Sequence, residues 1–202
     1  MTSLEQKFND AIWVAKVLFD RNKATGSSAN LSFLHDGKIY ITGSGTSFGR
    51  LSKKDFSVMD LEGNHLDGIK ASKEFPLHAT FYKKRSDVGA VLHTHSFYST
   101  LWSCLEHENQ KDVIPNFTPY LKMRLGAVGL VPYAKPGSKE LFQLFEERFQ
   151  DSEGYLLENH GPVVGDKDIL SAFYTLEELE ESARIAWELR NESRARLIEK
   201  DN

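Results

Sequence analysis

The histidine pair in His93-Thr94-His95 constrains this chain more than any other stretch of its sequence. An apolar run from Val88 to Leu92 precedes the pair, and such a run is typical of a buried strand. Side chains two positions apart in a strand point to the same side, so both imidazoles emerge together where the strand ends. The spacing therefore predicts that the two rings share one metal ion.

A third histidine occurs in a similar setting. His160 lies in Asn159-His160-Gly161 and follows the apolar residues 155–157, which also read as a strand. Three histidines with one position left open is the composition of a catalytic zinc site, whereas structural sites usually close with four ligands that include cysteines. The single cysteine, Cys104, is interpreted as a small core residue of a helix. The sequence thus favours an open, catalytic metal centre.

Glu74 is the acidic residue with a candidate role at this centre. Ser72 is expected to cap a helix that has Glu74 in its first turn and tolerates Pro76 there. A glutamate in a first turn is commonly no more than a partner of the helix dipole. Near a metal ion, however, Glu74 could serve as a displaceable fourth ligand or as an acid/base.

Two segments rich in Gly, Ser and Thr follow neighbouring elements, at residues 25–30 and 42–49. Small side chains let backbone N–H groups approach a phosphate, so the segments could form an anion cradle, although such residues also mark ordinary connecting loops. Neither segment matches a P-loop or a dinucleotide-binding fingerprint. The two interpretations remain open at this point.

Composition limits the class of protein. The 202 residues are 40% apolar and 27% charged, which predicts one globular domain over residues 1–202 with its own core. The net charge of −4 argues against a nucleic-acid or membrane-surface partner, since both favour a basic footprint. One cysteine, no apolar run of about 20 residues and no signal-peptide pattern together predict a cytoplasmic protein. A long helix is expected from Asp168 to Glu199, and about the last ten residues of the chain are expected to be frayed.

These motifs together resemble the class II aldolase/adducin family over roughly residues 8–190. The segments that carry the resemblance are Gly26-Ser27-Ser28-Ala29-Asn30, Thr42-Gly43-Ser44-Gly45, Ser72-Lys73-Glu74, His93-Thr94-His95 and Asn159-His160-Gly161. The resemblance implies a three-layer α/β/α sandwich with a central, mostly antiparallel sheet. It also implies a homotetramer whose active sites lie between subunits.

The resemblance also assigns roles to residues. It implies that His93, His95 and His160 bind one Zn²⁺ per subunit, with Glu74 as acid/base and as a metal ligand when substrate is absent. It places the substrate phosphate at Ala29, Asn30, Ser44, Gly45, Ser72 and Lys73. Tyr120 resembles a tyrosine that assists proton transfer from a neighbouring subunit. Two residues depart from the family pattern: Ala29 stands where Gly is usual, and Lys73 replaces a serine.

Within the family, the chain resembles the 3-oxo-tetronate 4-phosphate decarboxylase group. Gly49-Arg50-Leu51, Lys73-Glu74 and Thr118-Pro119-Tyr120 carry this similarity. The implied reaction is zinc-dependent decarboxylation of a phosphorylated sugar acid to dihydroxyacetone phosphate and CO₂ through a metal-stabilised enediolate. An aldolase or epimerase acting on a pentulose or deoxyhexulose phosphate is the alternative. A non-catalytic, adducin-like scaffold is disfavoured because such members lack the histidine set.

Overall fold

The computed structural model describes residues 2–149 and 152–198, and within them it has six α-helices and eight strands. The helices are α1 (Leu4–Asp20), α2 (Phe75–Lys84), α3 (Phe97–Ser103), α4 (Tyr120–Arg124), α5 (Lys139–Arg148) and α6 (Ile169–Leu189). The strands are β1 (Asn30–His35), β2 (Lys38–Thr42), β3 (Phe56–Met59), β4 (His65–Gly68), β5 (Ala90–His93), β6 (Val128–Val131), β7 (Gly154–Leu157) and β8 (Gly161–Asp166). Two short 3₁₀ turns, Phe48–Arg50 and Lys53–Asp55, separate β2 from β3.

All eight strands belong to one sheet in the order β4-β3-β2-β1-β5-β8-β7-β6. Among the described residues, β6 and β7 are parallel and the other neighbouring strands are antiparallel. Asp36 and Gly37 form the β1–β2 turn with positive φ angles of 47° and 73°, the conformation that a two-residue hairpin favours. The predicted mostly antiparallel sheet is confirmed.

Helices cover both faces of the sheet. Strand β5 illustrates the alternation, because Leu92 packs into one core and Val91 into the other. The core around Leu92 is completed by α1, α3 and α6, and the core around Val91 by α2 and α5. The structure therefore confirms the predicted three-layer α/β/α sandwich.

The central strands bring distant parts of the sequence to one end of the sheet. Strand β1 begins at Asn30, which lies opposite His93 at the end of β5. In the next antiparallel pair, His93 lies opposite Val163, close to where β8 begins. On the other side of β1, the Thr42 hydroxyl at the end of β2 accepts a hydrogen bond from the Leu31 N–H at 3.1 Å. Four segments with candidate functional residues thus converge.

Several local predictions were wrong. Helix α2 begins at Phe75 with Glu74 at its N-cap, and Ser72 instead accepts a hydrogen bond from the Glu74 N–H at 3.3 Å. Helix α6 ends at Leu189, because the charged residues that follow offer no apolar stripe to bury; position 199 lies outside the described residues. Cys104 is exposed because α3 ends there. Across residues 2–149 and 152–198, no helix has the combination of length and hydropathy needed to cross a bilayer.

Candidate metal centre

The three predicted histidines meet at the end of the sheet. His93 is the last residue of β5, His95 follows in the next loop, and His160 immediately precedes β8. The ring centroid of His160 lies 4.8 Å from that of His93 and 4.8 Å from that of His95. One ligand nitrogen from each ring can be chosen so that all three lie within 4.8 Å of one another. This spacing allows one ion to contact all three rings.

Within the described part of the chain, the Nε2 atoms of the three histidines are not occupied by hydrogen bonds and are available to bind a metal ion. The His93 Nδ1–H donates to the Pro162 carbonyl at 2.8 Å, so Nε2 of the neutral ring carries a lone pair. The Nε2 atoms of His93, His95 and His160 are buried and have no hydrogen-bond partner among the described residues. Each buried polar atom left without a partner costs about 1–3 kcal/mol. A divalent cation would satisfy all three nitrogens, and the donor set fits zinc.

Burial also sets the protonation state of the rings. Burial lowers the pKa of His93 to about 3, and the neighbouring His95 adds to this effect. Burial, reinforced by His93, lowers the pKa of His160 to about 3, and burial also lowers the pKa of His95. The imidazoles are therefore neutral near pH 7, which is the form that binds metal ions.

Glu74 faces the same space as the three nitrogens. Its Oε2 lies 3.5 Å from His93 Nε2 and its Oε1 lies 3.4 Å from His160 Nε2, and its side chain is 5% exposed. Because the rings are neutral, these contacts are not ion pairs, and His93 presents the lone pair of Nε2 to the Glu74 carboxyl group. A buried arrangement of this kind calls for a cation between the groups.

A buried carboxylate also anchors the segment that follows His95. Glu180 of α6 accepts hydrogen bonds from the N–H groups of Tyr98 and Ser99, each at 2.9 Å, and from the Ser99 hydroxyl at 2.7 Å. These N–H groups belong to the first turn of α3, where an anion is favoured by the helix dipole. Glu180 thereby fixes the start of α3 and, with it, the loop that carries His95.

The small-residue loop after β2 lies beside the segment that leads to Glu74. Residues 43 and 71 form an isolated β-bridge, and the Ser44 N–H donates to the Lys70 carbonyl at 2.9 Å, so the loop after β2 runs along the segment that leads to Glu74. Ser44, Gly45 and Lys73 are exposed there, and Gly45 has a φ of 79° that favours glycine. The positive charge of Lys73 contributes to the lowered pKa values of His95 and His160, so its field reaches the centre.

Two predicted phosphate-binding residues are buried. Ala29 is 7% exposed and packs within the core that α1 and α6 cover. Asn30 is 4% exposed, and its Nδ2 donates to Glu74 Oε2 at 2.9 Å. Any contact of Ala29 with a phosphate would therefore involve its backbone, and the Asn30 side chain is already bound to Glu74.

Tyr120 lies apart from the other predicted residues of its own chain. It begins α4, is 62% exposed, and lines a cavity with Asp166 and Tyr174. Asp166 ends the strand that His160 precedes, and six strand residues span about 20 Å. Tyr120 thus does not reach the histidines of its own subunit.

Sequence reasoning missed a group of buried polar residues behind Glu74. His78 is fully buried and contacts Asn30 and Ser32. Tyr82 in turn contacts Ser32. Ser32 and Asn30 are two positions apart on β1, and His78 and Tyr82 are four apart on α2, so the sequence contained a periodic signal for this group.

The structure is a three-layer α/β/α protein with a candidate metal site of three histidines and a glutamate at one end of its sheet. Residues 9–187 match the family model described as the Class II Aldolase and Adducin N-terminal domain, and the chain belongs to this family.

Three similar proteins illustrate the relationship. The chain is 39% identical over 193 residues to a 3-oxo-tetronate 4-phosphate decarboxylase from Haemophilus influenzae, with 95% of this chain and 91% of that protein covered. It is 37% identical to an L-fuculose phosphate aldolase from Methanocaldococcus jannaschii, with 86% and 92% covered. The crystal structure of YgbL from Klebsiella pneumoniae superposes with a TM-score of 0.95 at 36% identity, with 100% and 97% covered. The family predicted from the motifs is therefore confirmed.

Proposed function

We propose that this protein is a zinc-dependent carboxy-lyase that converts a 3-oxo-tetronate 4-phosphate into dihydroxyacetone phosphate and CO₂. The observation that carries the proposal is the buried carboxylate of Glu74 facing three unpaired imidazole nitrogens, next to the exposed Lys73. The relatives are named as decarboxylases and aldolases, which both break carbon–carbon bonds, and this confirms the prediction of a carbon–carbon lyase.

The substrate needs recognition of two anionic groups. The phosphate would lie at the exposed loop of Ser44 and Gly45 beside Ser72, where backbone and hydroxyl donors are at hand. Lys73 is exposed, adjacent to Glu74, and close enough to act electrostatically on His95 and His160, so it would supply a positive charge for the carboxylate that leaves as CO₂. An aldolase substrate lacks this carboxylate, so Lys73 favours decarboxylation.

The chemistry requires an electron sink and a proton donor. When the C1–C2 bond breaks, CO₂ departs and the bonding electrons form an enediolate over C2 and C3. His93, His95 and His160 would hold a divalent ion, which would supply positive charge to stabilise the developing anion. Glu74 in its protonated form then gives a proton to C2, which yields dihydroxyacetone phosphate. Solvent restores the proton of Glu74 before the next turnover.

We further propose a homotetramer in the cytoplasm, with residues 1–202 acting as one domain and active sites between subunits. Tyr120 is exposed and lines a cavity with Asp166, which lies at the opposite end of β8 from His160, and this supports an arrangement in which Tyr120 serves a neighbouring subunit. The exposed thiol of Cys104 is suited to a reducing compartment. Sedimentation analysis would measure the oligomeric state.

A substrate panel tests the proposed reaction. Zinc-loaded protein is incubated with 3-oxo-tetronate 4-phosphates of both C2 configurations and with L-fuculose 1-phosphate, and CO₂, aldehyde and dihydroxyacetone phosphate are quantified. We expect equal amounts of CO₂ and dihydroxyacetone phosphate from one tetronate. Aldehyde release from the fuculose phosphate without any CO₂ would instead establish the aldolase that the Methanocaldococcus relative suggests. Stoichiometric absence of metal from protein purified without chelators would favour a scaffold.

A further inference from the structure

A continuous line of buried hydrogen bonds ends on Glu74. The Tyr82 hydroxyl lies 2.7 Å from Ser32 Oγ, which lies 2.8 Å from His78 Nδ1. The other ring nitrogen, Nε2, lies 2.5 Å from Asn30 Oδ1, and Asn30 Nδ2 donates to Glu74 Oε2 at 2.9 Å. All five residues are buried, so water does not compete for these bonds.

The carboxylate fixes the direction of every bond in this line. Glu74 Oε2 accepts from the Asn30 Nδ2 group, so the Asn30 amide turns its NH₂ group toward Glu74 and its carbonyl toward His78. His78 must then carry its proton on Nε2 and accept at Nδ1 from the Ser32 hydroxyl. Ser32 in turn accepts from Tyr82. Burial lowers the pKa of His78 to about 3, so this ring is neutral, as the pattern requires.

We propose that His78 is a positioning residue that makes the two oxygens of Glu74 unequal. By holding the Asn30 carbonyl, His78 keeps the amide N–H on Oε2, and Oε1 is left as the oxygen that carries the catalytic proton. The proposal rests on the acid/base function proposed above for Glu74. In the protonation step, C2 takes the proton from Oε1 while Oε2 keeps its bond to Asn30.

The alternative orientation of Asn30 explains why a positioning residue is needed. An asparagine amide is nearly symmetric in shape, and a flip would bring its carbonyl oxygen against Oε2. Two acceptors would then face each other in a buried site. The Nε2–H of His78 opposes this flip, because after the flip this N–H would face the NH₂ group of Asn30, and two donors would meet. Strand β1 supplies Asn30 and Ser32 to the line of hydrogen bonds, and helix α2 supplies His78 and Tyr82.

The proton position on His78 can be measured without any activity. With ¹⁵N-labelled histidine, two-bond nitrogen–proton correlations assign the tautomer of each ring at pH 7, and the His78→Gln spectrum identifies the relevant signals. We expect His78 to be the Nε2–H tautomer both with EDTA and with one equivalent of zinc. An Nδ1–H tautomer, or a protonated ring, would overturn the proposal.

A pair of matched variants tests the effect on catalysis. In His78→Gln the terminal amide nitrogen can take the place of Nε2 and donate to Asn30, whereas the shorter side chain of His78→Asn reaches only the Ser32 side. Both variants remove one ring from the same buried position. We expect His78→Asn to lower kcat by about 10- to 100-fold with KM and zinc affinity within threefold, and His78→Gln to stay within about fivefold of wild type.

Equal losses in the two variants, or a loss confined to KM, would show a merely structural role and overturn the proposal. Tyr82→Phe is the control at the far end, because Ser32 can still donate to His78, and its kcat should stay within about twofold of wild type. A wild-type protein that converts no member of the substrate panel would refute the proposed function instead. The tautomer of His78 would then still show which way the Asn30 amide is turned, without any measurement of activity.

Discussion

Replacing His78 by glutamine should make the folded protein less sensitive to acid. His78 is fully buried and neutral, and burial lowers its pKa from 6.5 to about 3. Between these two values the unfolded chain binds a proton at this position and the folded chain does not. The contribution of His78 to stability is therefore complete above pH 6.5 and is lost progressively as the pH falls toward 3.

The size of the effect follows from the two pKa values. Between pH 7 and pH 5, protonation of the unfolded imidazole removes about 2 kcal/mol of stability through His78. The buried histidines of the metal centre add acid sensitivity of their own, but they are present in wild type and variant alike. The difference between wild type and variant in the free energy of unfolding lost between pH 7 and pH 5 therefore reports on His78 alone.

Urea unfolding in EDTA at pH 7 and at pH 5 measures this difference. Wild type should lose about 2 kcal/mol more than His78→Gln on going from pH 7 to pH 5. His65→Gln, at an exposed position of β4, controls for exchanging a histidine for glutamine. The reasoning is refuted if wild type and His78→Gln lose equal stability over this range.

Three further outcomes are expected. One equivalent of zinc should raise the midpoint temperature of thermal unfolding of the wild type but not of His160→Ala, as measured by scanning calorimetry. An equal rise in both proteins would show that zinc binds at another site. Glu180→Gln should lower the free energy of urea unfolding by about 1–2 kcal/mol, because a neutral amide replaces a carboxylate that caps α3, and unchanged stability would contradict this role. Lys73→Ser should reduce kcat/KM for a 3-oxo-tetronate 4-phosphate at least tenfold, while the zinc content measured by atomic absorption stays at one ion per chain. An unchanged kcat/KM would contradict the proposal that Lys73 recognises the substrate carboxylate.

Local patterns predicted the strand ends and the histidines. The apolar run before His93 depends only on neighbouring residues, so the sequence contained this strand end. His95 lies in the loop beyond β5, so the strand period of two does not set its position. The pairing of β5 with β8 then brought His160 to the same place. The sequence also marked Glu74 as a candidate, but its position at an N-cap and its contact with Asn30 could not be read from spacing.

Features that depend on packing between distant elements could not be predicted in the same way. The link from His78 to Asn30 spans 48 positions and exists only because α2 packs across the start of β1. Helix periodicity overestimated α6, since charged residues after Leu189 have good helix propensity but no surface to bury. Cys104 was placed in the core because its neighbours are apolar, yet the helix ends at that residue.

Release of CO₂ by the Glu74→Gln variant tests the central claim most directly. The variant keeps the three histidines and nearly the shape of the side chain, so it should bind one zinc ion per chain, but it lacks a carboxyl group to move the proton. We expect its kcat for CO₂ release from the preferred 3-oxo-tetronate 4-phosphate to fall by about 10²–10⁴-fold relative to wild type. A zinc-loaded variant that releases CO₂ at nearly the wild-type rate would contradict the account.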